Sequence, residues 1–347
     1  MIDLRSDTVT SPSEQMLETV KSSSCKDVFF DIDPSTRALE DRCAEMFGFE
    51  NAMFTVSGTM SNQVAIKAHT NPGDDVLIDQ SYHINYYEAA ATSIISNVHL
   101  KTIHTIDGIV TPDILEEILT NRTKSVYGNQ IKLICLENSI NYHCGKVFAF
   151  DKLRNLSLFA RSRGWKVHLD GARIFNAIAK ERVSPNCYGE IVDSMMISLN
   201  KALGAPFGSI LLGSKDFIKE ARIYNKWFGG GLHQSGLLAG MGLYALDNNI
   251  SRIEDDNNNA TILASLIKEA KIKDLRMPNV DTNIVMLDLS KLKLPAIELT
   301  NLLATKDIML HEWSEYILRA VTNLNVSELD VRRSAREIVS AIKVLID

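Results

Sequence analysis

Between about residue 50 and residue 250, short continuous apolar runs alternate with amphipathic stretches. The strand-like runs are residues 52–56, 76–79, 98–104, 133–137, 167–170, 194–199 and 209–212. Unbroken apolar strands separated by helical patterns predict a mostly parallel sheet covered on both faces. Helix signals fall between and before them. Asp33-Pro34-Ser35 opens a helix whose Leu39, Cys43, Met46 and Phe47 share one face and which Gly48 can end. Thr111-Pro112-Asp113 opens another, carrying Ile114, Leu115, Ile118 and Leu119. At Ser11-Pro12-Ser13-Glu14 the pattern predicts Ser11 as N-cap, Pro12 at the first helical position and Glu14 closing a capping box. Residues 234–246 read as a buried helix rich in small residues.

After about residue 250 the texture changes. A long polar helix (residues 251–271) precedes a strand at 283–289, a helix at 296–304, a strand at 317–321 and a final helix from Ser327. The predicted organisation is an N-terminal segment plus a large α/β domain over residues 1–250, and a small α+β domain over residues 251–347.

Composition bounds the function without naming it. The chain has 347 residues, 45% hydrophobic and 23% charged, which places it among folded globular proteins of about two domains. Lys plus Arg number 37 and Asp plus Glu 43, a net charge of −6. A mildly acidic chain lacks the basic face that sequence-independent nucleic-acid binding needs. No run of about 18 apolar residues predicts a membrane span, and the N-terminus has no apolar signal region, so a cytoplasmic location is predicted. The cysteines (Cys25, Cys43, Cys135, Cys144, Cys187) are odd in number and form no CxxC pair. Neither a disulfide framework nor a metal site is indicated.

In a parallel α/β sheet, ligands bind beyond the carboxyl ends of the strands, so residues just past those ends carry the chemistry. Ser57-Gly58-Thr59 follows one strand and feeds a helix. It reads either as an ordinary turn or as a phosphate cradle of free N–H groups. No GxGxxG or GxxxxGK[ST] occurs, which argues against a dinucleotide fold or a Walker ATPase. Asp170 ends the strand before Gly171-Ala172-Arg173; its carboxylate suits either a helix cap or a cationic ring nitrogen. Lys201 follows a buried strand in a turn of small residues and is either a solvated charge or a desolvated amine nucleophile. His83 lies just past another strand, placed to stack on a planar ligand or simply hydrogen-bonded. Arg319 sits inside an apolar strand, where its charge requires a carboxylate partner from protein or substrate.

Taken together these residues resemble the L-threonine aldolase and β-eliminating lyase family of pyridoxal-phosphate enzymes, which have the aspartate-aminotransferase-like fold. The resemblance runs over essentially the whole chain. It rests on IDLRSDTVTSP (residues 2–12), SGTMSNQ (57–63), LEN (136–138), HLDGARIFNA (168–177), SLNKALGAPFGSILLGS (198–214), GGGLHQSG (229–236) and ILRAVTNLNVS (317–327). It implies a large α/β domain of fold type I with a smaller C-terminal α+β domain. It implies Lys201 as the lysine that holds the cofactor, Asp170 as the partner of the pyridine nitrogen and His83 as the residue stacked on the ring. Gly58 and Thr59 would cradle the phosphate. Ser6, Arg173 and Arg319 would grip the substrate carboxylate, with Arg173 also lining the cofactor site. The site lies between subunits in this family, which implies a homodimer or homotetramer.

The resemblance also predicts departures. The position where family aldolases usually carry a histidine base is Ile140, with His143 three residues further on. A usual tyrosine is Phe29, one extra residue stands before Asp33-Pro34, and an arginine expected after the glycine run is His233. The expected reaction is retro-aldol cleavage of threonine-like β-hydroxy-α-amino acids to glycine and an aldehyde. Racemisation and β-elimination are the alternatives, because Ile140 cannot act as a base.

Overall fold

A computed structural model describes residues 1–30, 33–121 and 128–346. The extra residue expected before Asp33-Pro34 falls at positions 31–32, outside the described residues. The strands, in chain order, are β1 (Ile2–Asp3), β2 (Asn51–Thr55), β3 (Asp75–Asp79), β4 (His99–Ile103), β5 (Ile131–Glu137), β6 (Lys166–Gly171), β7 (Ser194–Ser198), β8 (Ser209–Gly213), β9 (Ile284–Asp288), β10 (Ile308–Met309), β11 (His311–Ser314) and β12 (Ile317–Val321).

The central sheet has seven strands in the order β2-β8-β7-β6-β5-β3-β4. Only β8 runs against its neighbours. The other six therefore deliver their C-terminal ends to one edge of the sheet, where a ligand site is expected. Every residue of β3, β7 and β8 is buried, as continuous apolar runs require. Side chains alternate between faces along each strand. Ala52, Phe54, Met195, Ile197, Ile210 and Leu212 enter the main core, while Met53, Met196 and Leu211 enter a second core with Val64, Ala65, Phe217 and Ile218.

The helix starts follow the local chemistry, with one correction. Asp33 caps Pro34–Phe47 by accepting from Thr36 N, and Gly48 ends it in the left-handed conformation at φ 71°. Thr111 caps Pro112–Thr120 in the same way. The first helix, Glu14–Ser22, is capped by Ser13 and not by Ser11. Ser13 Oγ accepts from Met16 N at 3.1 Å, and Ser11 N–H instead donates to Asn325 Oδ1 at 3.3 Å. Ser11 and Pro12 precede the cap and stay outside the helix. Glu14 is then the first helical residue and closes no capping box.

Beyond residue 250, the three-stranded antiparallel sheet β11-β12-β9 packs with helices Ile253–Glu269, Ala296–Ala304 and Glu328–Ile346. Their core also contains Ile2 and Leu4, because β1 pairs parallel with β10. The first residues of the chain thus belong physically to the C-terminal core.

Candidate active site

Four strand ends and one helix start meet at the edge of the central sheet. β5 ends in Glu137, β6 delivers Asp170 and then Arg173, and Lys201 follows β7. His83 follows β3, at the start of the short helix His83–Tyr86. β2 feeds Ser57, which caps Gly58–His69 by accepting from Met60 N at 3.2 Å. Gly58 and Thr59 are the first two residues of that helix, so their N–H groups are free of intrahelical partners and face any anion at the positive end of the helix dipole. A Cβ on Gly58 would come within 2.4 Å of Met196 Cε, so the flexible end of that side chain would have to shift to make room.

Asp170 is buried and accepts from Ala172 N at 3.0 Å and from Asn62 Nδ2 at 2.8 Å. The same Asn62 amide donates to Glu88 Oε1 at 2.9 Å, and Glu88 receives Gln63 Nε2 at 2.7 Å. His83 Nδ1 lies 3.0 Å from Glu88 Oε1, and His83 N donates to Glu137 Oε2 at 2.5 Å. Acceptor atoms of His83, Glu88 and Asp170 come within 4.8 Å of one another. Asn62 donates to both carboxylates, however, and its N–H groups stand where a cation would have to sit.

The charges of this cluster are mutually adjusted. Burial disfavours the His83 cation, but the Glu88 hydrogen bond and the nearby Asp170 outweigh it and raise the pKa. Burial, reinforced by Asp170, pushes the Glu137 carboxyl up. Burial and then Arg173 push the Lys201 ammonium down, which favours the neutral, nucleophilic amine. Among the described residues Lys201 Nζ has no hydrogen-bond or ion-pair partner.

Two buried arginines complete the site. Arg173 Nε and Nη2 grip Asp7 at 2.7 and 2.8 Å, and its Nη1 donates to Asn141 Oδ1 at 3.2 Å. Arg319 Nη1 donates to the same Asn141 oxygen at 3.2 Å and Nη2 to Arg5 O at 3.2 Å, while the guanidinium lies 4.5 Å from the Trp313 ring centre. Arg319 Nε is buried without a partner, and no carboxylate among the described residues pairs with this side chain. Burial and then Arg173 push its pKa down. The carboxylate that a buried arginine requires is thus supplied to Arg173 by the protein and not supplied to Arg319. Ser6, between Arg5 and Asp7, caps the short turn Asp7–Val9.

The departures fall into two places. Ile140 is fully buried, and its methyl groups pack beside Gly108 next to the His143 ring. His143 Nε2 meets Ser81 Oγ at 3.1 Å, and Ser81 gives its own proton to Asp79 at 2.5 Å. Nε2 is therefore a donor. The charges that act on His143 are Asp79, Asp107 and Lys146, none of them in the Lys201 cluster. Phe29 and His233, far apart in sequence, sit together: Val28 N donates to His233 O at 2.7 Å and the two rings are 6.3 Å apart.

Sequence reasoning missed Asp7, Asn141, Asn62, Glu88 and Glu137. Asp7 had a signal, since a second arginine at a strand end also needs a carboxylate. Asn62 and Asn141 had none, because an asparagine has no local pattern that marks it as a shared partner.

The mostly parallel sheet, with Lys201, Asp170 and the start of the helix Gly58–His69 gathered at one edge, has the aspartate-aminotransferase-like fold. The beta-eliminating lyase family model matches residues 3–290, and the chain belongs to that family. It is 35% identical over 328 residues to the low specificity L-threonine aldolase of Escherichia coli (strain K12), covering 94% of this chain and 95% of that one. In structure it is similar to a threonine aldolase of Leishmania major (TM-score 0.83, 19% identity, 100% of both chains). It is also similar to a Thermus thermophilus aspartate aminotransferase (TM-score 0.72, 14% identity, 98% and 91% covered).

Proposed function

We propose that this chain is a pyridoxal-phosphate-dependent lyase that cleaves threonine-like β-hydroxy-α-amino acids to glycine and an aldehyde. The observation that carries it is the buried Arg319, without a carboxylate of its own, in the same charge cluster as Arg173 and the desolvated Lys201. That pairing suits an amino acid: a carboxylate for the guanidinium and an amine-bearing carbon for the lysine's chemistry.

The residues fit the cofactor. Lys201 would carry it, Asp170 would hold a protonated ring nitrogen, His83 would cover the ring, and the N–H groups of Gly58 and Thr59 would take the phosphate. When bound, the cofactor supplies an electron sink for the bond broken at the substrate's α-carbon. Arg319, with the Nη1 of Arg173 beside it at Asn141 Oδ1, would orient the carboxylate, and Ser6, which follows Arg5, would join them. Asp7 keeps Arg173 fixed. With Ile140 packed in the core and His143 held by Ser81, the proton of the β-hydroxyl falls to His83. Its Nε2 has no partner among the described residues, and the Glu88 hydrogen bond on Nδ1 orients the ring and strengthens it as a base. The name of the E. coli relative favours aldol cleavage over racemisation or β-elimination.

The same reading divides the chain into residues 1–250 and 251–347, makes it a homodimer or homotetramer and places it in the cytoplasm. Among the described residues no helix is long and apolar enough to cross a membrane. The test is to load the purified protein with pyridoxal phosphate and assay L-threonine and L-allo-threonine for glycine and acetaldehyde. Glycine formation that disappears in Lys201→Ala is the expected result. D-amino acid formation from L-alanine or L-serine without glycine from threonine would replace the aldolase reading with the racemase one.

A further inference from the structure

Behind Asp170 runs a buried hydrogen-bond chain that the functional reading leaves unused. His69 Nε2 lies 2.8 Å from Ser194 Oγ, Ser194 Oγ 2.9 Å from His168 Nδ1, and His168 Nε2 3.1 Å from Asn62 Oδ1. Asn62 Nδ2 then reaches Asp170 Oδ2 and Glu88 Oε1. Asn62, His168 and Ser194 are each 1% exposed or less, so no solvent competes for these bonds.

The direction of every bond follows from the last one. Two carboxylate oxygens can only accept from the Asn62 amide, so its NH₂ faces them and its oxygen faces His168. The flipped amide would set an oxygen against two acceptors. His168 Nε2 must then carry a hydrogen. Burial pushes His168 down to about 4 and His69 to about 3, so both are neutral near pH 7. A neutral His168 has a bare Nδ1, which Ser194 Oγ–H must fill. Ser194 has spent its only proton, so His69 Nε2 donates to it. All donors point one way, towards Asp170 and Glu88.

We propose that Asn62 is a positioning residue, fixed by His168, Ser194 and His69, that feeds a one-way hydrogen-bond chain into Asp170. With Asn62 N–H on Oδ2 and Ala172 N–H on Oδ1, the Asp170 carboxylate is held in one orientation, in which it would face a cationic ring nitrogen. The role rests on the pyridoxal-phosphate reading; the tautomers do not.

Two measurements separate them. ¹⁵N-histidine NMR of the protein, with and without cofactor, should show His168 in the neutral Nε2–H form. A doubly protonated His168, or the Nδ1–H form, overturns the chain. In the loaded enzyme, Asn62→Ala should lower kcat on the order of 10- to 100-fold, the range for a hydrogen bond to a charged group. KM should stay within about threefold, and the pH titration of the bound-cofactor absorbance should shift. His168→Gln, whose amide N–H can replace Nε2–H, should restore most of the activity lost in His168→Leu. Normal cofactor uptake with an Asn62→Ala enzyme like wild type in kcat and pH titration overturns the positioning role alone. No uptake of pyridoxal phosphate by the wild type overturns the functional reading and the role together, while the tautomers still stand or fall by NMR.

Discussion

Arg173 and Arg319 carry the same group and meet at the same Asn141 oxygen, yet they have different tasks, and Asp7 decides which. Burial pushes the Asp7 carboxyl up, but the Arg173 guanidinium and its hydrogen bonds prevail and hold it at about 2, against 3.8 normally. Because the folded pKa is the lower one, this pair stabilises the protein above about pH 4, and its contribution is lost as pH falls from about 4 to about 2. It is worth about 2 kcal/mol. In Asp7→Asn, urea unfolding should show a stability loss of at least that size at pH 7, shrinking towards pH 2. A pH-independent loss would mean that packing and not charge is at stake. For Arg319→Lys, kcat/KM for threonine should fall on the order of 10- to 100-fold, because an ammonium cannot replace a planar fork at a buried carboxylate. Placing the family's histidine at position 140 should not raise aldolase activity. Ile140 is fully buried, so Ile140→His should cost roughly 1–3 kcal/mol for an unpaired polar group, read as a lower Tm. Higher turnover in that variant would show that the side chain reaches the substrate after all.

At the scale of elements, the readable parts of the sequence were those where one local rule suffices. Lys201 and His83 follow, and Asp170 stands near the end of, strands whose apolar runs are visible, so their common edge was predictable before any contact was known. Caps were readable where one residue alone can do the job, as with Asp33 and Thr111. They failed where two serines compete, since Ser13 takes the Met16 N–H and Ser11 turns to Asn325, a partner 314 residues away. β1 and β10, of two residues each, carry no periodicity, and the site depends on that pairing. Partners such as Arg173 and Asp7, 166 residues apart, meet only once the sheet and the second core exist. Gly48 shows how strict a local signal can be. Its φ is 71°, and a Cβ there would lie 2.4 Å from Asn186 O. Gly48→Ala should therefore cost more than the roughly 1–2 kcal/mol of a left-handed alanine, measured as a lower urea midpoint with unchanged slope. A neutral result would mean that the loop at Asn186 yields freely.

At the scale of the whole molecule, the first seven residues join the C-terminal core to the active site. Ile2 and Leu4 are buried in that core; Leu4 N donates to Met309 O at 2.9 Å and Leu4 O accepts from Val321 N at 2.7 Å. The next residues reach the site directly, since Arg5 O receives Arg319 and Asp7 holds Arg173. Position in this segment should therefore matter beyond stability. Leu4→Ala and Leu303→Ala each remove a fully buried leucine from the same core, and each should cost about 2–5 kcal/mol. Leu303 lies in the helix Ala296–Ala304, and no hydrogen bond among the described residues joins it to Arg5, Asp7 or Asn141. Only Leu4→Ala should also raise KM for the amino acid, by loosening the carbonyl of Arg5 and the carboxylate of Asp7, with kcat changed less. The measurement is steady-state kinetics well below the Tm of both variants, with unfolding followed in parallel. Equal rises in KM would mean that the site senses the stability of the second core as a whole. A rise confined to Leu4→Ala would mean that the N-terminal strand sets the arginine geometry.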